Sequence, residues 1–306
     1  MIDIIEELDA LRARVGEWKG AGLRVGFVPT MGNLHAGHHS LVRLAREHSD
    51  RVVASVFVNP TQFGPDEDFG RYPRTPEQDA VGLAAAGCDA LWLPTVATMY
   101  PHGAEATVQV RVPGVTAVLE GEHRPGHLDG VETVVARLFH QVQPDVAVFG
   151  RKDYQQLMVI RRLVRDLLLP VEVVGIPTVR ESDGLALSSR NMYLSPEDRR
   201  RAAEIPRALA EAARAFEAGE RRAGTLVAGV RARLARISDR IDYIDVAEPE
   251  SLRVLGAEEH AGERALLALA LRVGTTRLID NLVLGEDGAL RVGDASPGPA
   301  SASAEA

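Results

Sequence analysis

Val25-Gly26-Phe27-Val28-Pro29-Thr30-Met31-Gly32-Asn33-Leu34-His35-Ala36-Gly37-His38 sets the architecture of this chain. The run opens with apolar residues and meets a proline, the pattern of a short buried parallel strand. Residues 36–48 follow, with Leu41, Leu44, Ala45 and His48 on one helical face. Working outward, 52–58 reads as a second strand closed by Asn59-Pro60, 76–86 as a helix and 90–93 as a strand. Then come a helix over 131–142, a strand over 146–150, a helix over 153–168 and a strand over 171–176. Strands alternating with helices of ten or more residues predict an α/β fold with a parallel sheet. In such sheets ligands sit beyond the carboxyl ends of the strands.

The texture changes after about residue 180. Residues 196–219 are charged and alanine-rich, 225–237 reads as a further helix, and 241–246, 265–273 and 276–284 read as strands. Helices followed by strands without regular alternation predict a smaller α+β domain. The expected division is 1–180 for the larger domain and 181–287 for the smaller. Residues 288–306, small and polar, are expected to be a disordered tail.

The balance of 306 residues, 45% hydrophobic and 25% charged, is that of a globular protein large enough for two cores. A net charge of -8 argues against a nucleic-acid partner, because phosphate backbones call for a basic surface. Cys88 is the sole cysteine, so no intramolecular disulfide forms, and its apolar surroundings predict a packing role. The first 20 residues lack the basic and apolar regions of a signal peptide, and no apolar run reaches the roughly 18–20 residues of a membrane span. A cytoplasmic location without membrane contact is expected.

Three polar clusters follow predicted strands or lie in loops. At the start of a helix, His35 and His38 meet unpaired N–H groups and the positive end of the helix dipole, a setting that attracts phosphate. Gly37 admits close backbone approach, and imidazoles can donate to phosphate oxygens as charge builds. Capping the helix or binding a metal are the other roles open to this pair, and the metal lacks a third ligand nearby. Gly150-Arg151-Lys152-Asp153-Tyr154-Gln155-Gln156 holds one of only two lysines, with Lys19, among 35 basic residues. A compact, flexible ammonium suits a phosphate that moves during reaction. Asp153 suits a ribose hydroxyl or Mg²⁺, and Gln156 a hydroxyl or carboxylate. Leu187-Ser188-Ser189-Arg190-Asn191 puts hydroxyls, amides and a guanidinium in one loop, a plausible triphosphate clamp. Beside these, Asn59 and Gln62 offer neutral amides, and Glu120–His127 form a Gly/Pro-rich loop read as lid or connector.

His35-Ala36-Gly37-His38 resembles the His-x-Gly-His signature of the nucleotidyltransferase superfamily. With Phe57-Val58-Asn59-Pro60-Thr61-Gln62-Phe63, the Lys152 cluster and Asp183-Gly184-Leu185-Ala186-Leu187-Ser188-Ser189-Arg190-Asn191, the chain resembles the pantothenate synthetase (pantoate–β-alanine ligase) family from about residue 25 to 284. That resemblance implies a Rossmann-like domain, a smaller domain closing over the site, and a homodimer. It implies that ATP and (R)-pantoate form pantoyl-adenylate and pyrophosphate, and that β-alanine then gives pantothenate and AMP. It places ATP on residues 31–38, 150–153, Val179 and 187–190, with His38 the proton donor, His35 a phosphate contact, and Lys152, Ser188, Ser189 and Arg190 also catalytic. Gln62, Gln156 and Asn59 are implied for pantoate, Gln62 also for β-alanine. Mg²⁺ is implied with the triphosphate, its protein ligands undefined, because Gln78 stands where some members carry Asp. Asn33, Arg151 and Leu187 stand where Ala, Glu and Met are usual. A transferase acting on a phosphorylated acceptor, and a non-catalytic nucleotide sensor, are the competing readings.

Overall fold

The computed structural model describes residues 2–64 and 69–287; the expected tail, 288–306, lies outside the described residues. A six-stranded, all-parallel sheet is built from β1 (Asp3–Ile5), β2 (Val25–Thr30), β3 (Arg51–Val56), β4 (Ala90–Trp92), β5 (Val146–Gly150) and β6 (Glu172–Ile176), in the order β1-β4-β3-β2-β5-β6. Its helices are α1 (Leu8–Gly20), α2 (Ala36–His48), α3 (Pro76–Ala86), α4 (Val96–Met99), α5 (Glu120–His123), α6 (His127–Val142) and α7 (Tyr154–Asp166). The strands alternate sides as their period of two demands. Phe27, Val53, Trp92 and Phe149 pack with α1, α6 and α7, while Val28, Ala54, Leu91 and Val148 pack with α2 and α3. Cys88 is buried against the second layer, and burial pushes its thiol up to about 12.

Pro29 does not end its strand, as the sequence led us to expect, but marks where the sheet opens. β2 runs on to Thr30 beside β3, yet its pairing with β5 stops at Phe27. A proline has no N–H to donate, so the ladder on that side lapses without an orphaned group. Strand order also reverses between β2 and β5, the place where open α/β sheets hold ligands. The expectation missed β1, whose three residues are too few to show a period.

After β6 the chain forms α8 (Pro196–Ala202), α9 (Glu204–Glu217) and α10 (Ala223–Leu234), then an antiparallel sheet of β7 (Arg240–Ala247), β8 (Ala265–Val273) and β9 (Thr276–Leu284). The segment read as one helix from 196 to 219 is two, broken at Ala203. The apolar run Leu266-Leu267-Ala268-Leu269-Ala270-Leu271 in β8 reflects burial on both faces. Leu267, Leu269 and Leu271 face α9 and α10, whereas Leu266, Ala268 and Ala270 join the core that includes Phe27, Phe149 and α6. One hydrophobic cluster therefore spans both sheets. Among the described residues, no helix is long and apolar enough to cross a membrane.

Candidate active site

A cleft of about 770 Å³ opens beyond the carboxyl ends of β2 and β5 and is walled by the small sheet. It gathers Met31, His35, Gly37 and His38 from one turn, Gly150, Lys152 and Asp153 from another, and Leu187, Ser188, Ser189 and Arg190 from the loop before α8. Val179, Gln62 and Gln156 line it as well. Three stretches far apart in the chain thus meet, and Ser189 Oγ donates to the Asn33 carbonyl at 3.3 Å to tie loop to turn.

The spacing of the two histidines has a local cause. His35 is the N-cap of α2 and its Nδ1 accepts from the Gly37 N–H at 3.1 Å, while His38 Nδ1 accepts from the His35 N–H at 3.3 Å. This is a reciprocal capping box with imidazoles in place of hydroxyl and carboxylate. Burial, reinforced by Lys152, lowers His35 to about 4; burial, reinforced by His35, lowers His38 to about 3. Both rings are therefore neutral at pH 7 and, with Nδ1 accepting, carry their proton on Nε2. Capping uses one nitrogen of each ring and leaves an N–H donor on the other.

Gly32, Asn33, Leu34 and Ala36, expected at the nucleotide, are not among the residues that line the cleft. Gly32 (φ 89°) and Asn33 (φ 52°) adopt left-handed conformations, which glycine and asparagine tolerate best. The buried Asp79 carboxylate accepts from the Asn33 N–H at 3.0 Å and the Leu34 N–H at 2.8 Å. Asp79 lies on α3, 45 positions beyond Leu34, and only its place in an otherwise apolar helix face hinted at a task.

Two further expectations need correction. Asn59 does not line the cleft: it is fully buried behind Gln62. Its Nδ2 donates to the Gly130 carbonyl at 3.2 Å and to Gln62 Oε1 at 3.0 Å, and its Oδ1 accepts from Tyr100 at 2.7 Å. A carbonyl can only accept, so the Asn59 amide is oriented without ambiguity, and it turns the Gln62 Nε2 donors away from itself. A Cβ on Gly130 would lie 2.5 Å from the Thr61 carbonyl oxygen, so the close fit of α6 against this turn demands glycine. Arg151 also points elsewhere, pairing with Glu286 at 2.9 Å and Asp287 at 3.1 Å.

The segment from Glu120 to His127 is a junction. Glu120 is buried and takes both arms of the Arg277 guanidinium, at 2.7 and 2.8 Å, and the Tyr243 hydroxyl at 3.0 Å. Burial alone would raise its carboxyl, but the Arg277 fork outweighs that and holds it below its ordinary value. His127 Nδ1 donates to the Gln62 carbonyl at 2.7 Å, so the same segment steadies the amide pocket. None of these partners was legible in the sequence.

The family model for pantoate-beta-alanine ligase matches residues 3–283. The chain belongs to the pantoate–β-alanine ligase family. Pantothenate synthetase of Xanthomonas axonopodis pv. citri is 58% identical over 282 residues, covering 92% of this chain and 99% of that one. The crystal structure of pantothenate synthetase from Thermus thermophilus superposes with a TM-score of 0.85 at 49% identity, over 92% of this chain and 99% of that one. A second family structure, pantoate-beta-alanine ligase from Francisella tularensis complexed with beta-gamma ATP and beta-alanine, has a TM-score of 0.74 at 31% identity, over 92% and 98%. The six-stranded parallel sheet with a small antiparallel sheet is the architecture shared with these enzymes.

Proposed function

We infer that this chain joins (R)-pantoate to β-alanine with ATP, through a pantoyl-adenylate. The observation that carries the reading is one cleft with two chemistries: cationic and N–H donors at the strand ends, and neutral amides from Gln62 and Gln156 beside them. A carboxylate is a poor acylating agent, and adenylation supplies a good leaving group. In the first step a pantoate carboxylate oxygen attacks the α-phosphorus, and the bond to the bridging oxygen breaks as pyrophosphate departs. The Nε2–H groups of His35 and His38, the N-terminus of α2, the Lys152 ammonium and the Ser188–Arg190 loop offset the repulsion between two anions and the charge that develops. In the second step the amine of β-alanine attacks the acyl carbon, the acyl C–O bond breaks, AMP leaves, and the amine loses a proton.

Gln62 can serve both organic substrates because its Nε2 donors suit oxygen acceptors without adding a charge. Among the described residues no group of three His, Cys, Asp or Glu is placed to hold a metal ion. Asp280, which also lines the cleft, is spent on Arg180. The described residues therefore make no cage for Mg²⁺, and the ion enters here as part of the nucleotide substrate, as the loosely held Mg²⁺ of phosphate sites commonly does. We take the enzyme to act as a cytoplasmic homodimer on small molecules alone; a monomer mass in sedimentation equilibrium would exclude the dimer.

The decisive experiment mixes enzyme, ATP and pantoate without the amine and looks by mass spectrometry for an enzyme-bound acyl-adenylate. Its appearance, with pyrophosphate release, is expected. Pyrophosphate release only with a phosphorylated acceptor would instead favour nucleotide transfer.

A further inference from the structure

β9 runs between the two cores, and its side chains alternate accordingly. Leu278, Leu282 and Leu284 enter the core under α9 and α10, while Ile279 and Val283 pack against the core of the large sheet. Two polar residues interrupt this strand, Asp280 and Asn281, which are 2% and 7% exposed. A buried polar residue in a strand needs partners, and these two find theirs on the two loops that face the cleft from opposite sides.

Asn281 Nδ2 donates to the Arg151 carbonyl at 3.1 Å and to the Lys152 carbonyl at 2.7 Å. One neutral NH₂ thus uses both hydrogens on consecutive carbonyls of the turn that presents the cleft's lysine. Asp280 takes the Arg180 guanidinium in a fork, at 2.7 and 2.9 Å. Arg180 also donates to the Gly184 carbonyl at 3.0 Å, and it bridges to Ala186 at the base of the hairpin that leads into Ser188–Arg190. The two residues lock to each other, since the Asn281 N–H donates to Asp280 Oδ1 at 2.8 Å.

We propose that Asp280 and Asn281 are positioning residues that fix the separation of Lys152 from the Ser188–Arg190 loop, so that both reach one triphosphate. The inference rests on the reading of Lys152 as a phosphate ligand. Neighbouring strand residues lie a fixed few ångströms apart, so the two loops inherit the spacing of a β-strand rather than that of two mobile connections. Gln62 is held instead by Asn59, Arg124 and His127.

The test is a double-mutant cycle read on pantoate-dependent pyrophosphate release. Asn281→Leu keeps the size and removes both donors. It is expected to lower kcat about tenfold, the scale of a slightly misplaced catalytic group, with KM for pantoate little changed. In a Lys152→Ala background the same substitution should have almost no further effect, because the group it positions is gone. An equal fold-loss in both backgrounds marks general damage and overturns the proposal. Should Asn281→Leu fail to fold, Asn281→Ser retains a single donor and enters the same cycle. A fully active Lys152→Ala enzyme would overturn the phosphate reading, and the brace with it. A slowed but measurable Lys152→Ala enzyme with an additive Asn281 effect would overturn the brace alone.

Discussion

The turns after β2 and β5 face the same cleft but owe their shape to different parts of the chain. The turn after β2 is organised mainly from within. Its two histidines cap α2 and each other, Gly32 and Asn33 supply the left-handed backbone, and Asp79 on the adjoining α3 closes the remaining N–H groups. The turn after β5 is organised from outside. Asn281 grips its carbonyls from 129 and 130 positions away, and Glu286 and Asp287 hold the Arg151 side chain. A turn at the cleft can thus be specified by its own residues or by a strand that arrives much later. Substitutions should tell the two kinds apart.

The largest effects are expected at the residues by which each turn is proposed to meet the nucleotide. Lys152→Ala and His38→Ala should each slow adenylate formation by roughly 10²–10³, about 3–4 kcal/mol, the scale of one lost transition-state donor. Near-normal pyrophosphate release by either variant would take its turn out of the chemistry. Next is Asp79→Ala, which strands the N–H groups of Asn33 and Leu34. It should cost about 1–2 kcal/mol in urea unfolding, since a part-buried group without a partner loses some of its hydration. Unchanged stability would mean that the β2 turn holds itself without α3.

Smaller effects should arise in the amide pocket, which neither turn forms. Gln62→Ala should raise KM for both pantoate and β-alanine about tenfold, the value of one or two hydrogen bonds, while KM for ATP stays put. A selective rise for ATP would contradict that separation. A separate effect, read on stability rather than turnover, is a pH dependence centred on the β2 turn. His35 and His38 are held neutral, at about 4 and about 3 against an ordinary 6.5. As pH falls below 6.5 the unfolded chain takes up protons that the native rings refuse, so this part of the stability is intact above 6.5 and drains away towards pH 3, where His38 at last accepts its proton. A His38→Gln variant should show a flatter fall of Tm across that window, and Lys152→Ala a slighter flattening, because its charge helps to lower both rings.

This contrast also explains what the sequence disclosed. His-x-Gly-His was legible because N-cap and third helical position are a local geometry written three residues apart. The alternation of strands and helices was legible because burial of both sheet faces leaves apolar runs such as Val146-Ala147-Val148-Phe149. Asp79, Glu120, Asp280 and Asn281 were not, since a polar residue in a helix, loop or strand looks the same whether its partner is water or a group far along the chain. Asn59 was placed on the correct turn but at the wrong depth. Pattern reports which residues are near each other in sequence, and only packing decides which of two adjacent amides reaches the surface.

The cluster of apolar side chains shared by the two sheets bears on how the molecule melts. Leu266, Ala268, Ala270 and Val283 lean on the same oily layer as Phe27, Phe149 and α6. Neither half can come apart while leaving its neighbour dry. Calorimetry should accordingly record a single cooperative endotherm, and a fragment ending near residue 180 should clump in solution instead of refolding.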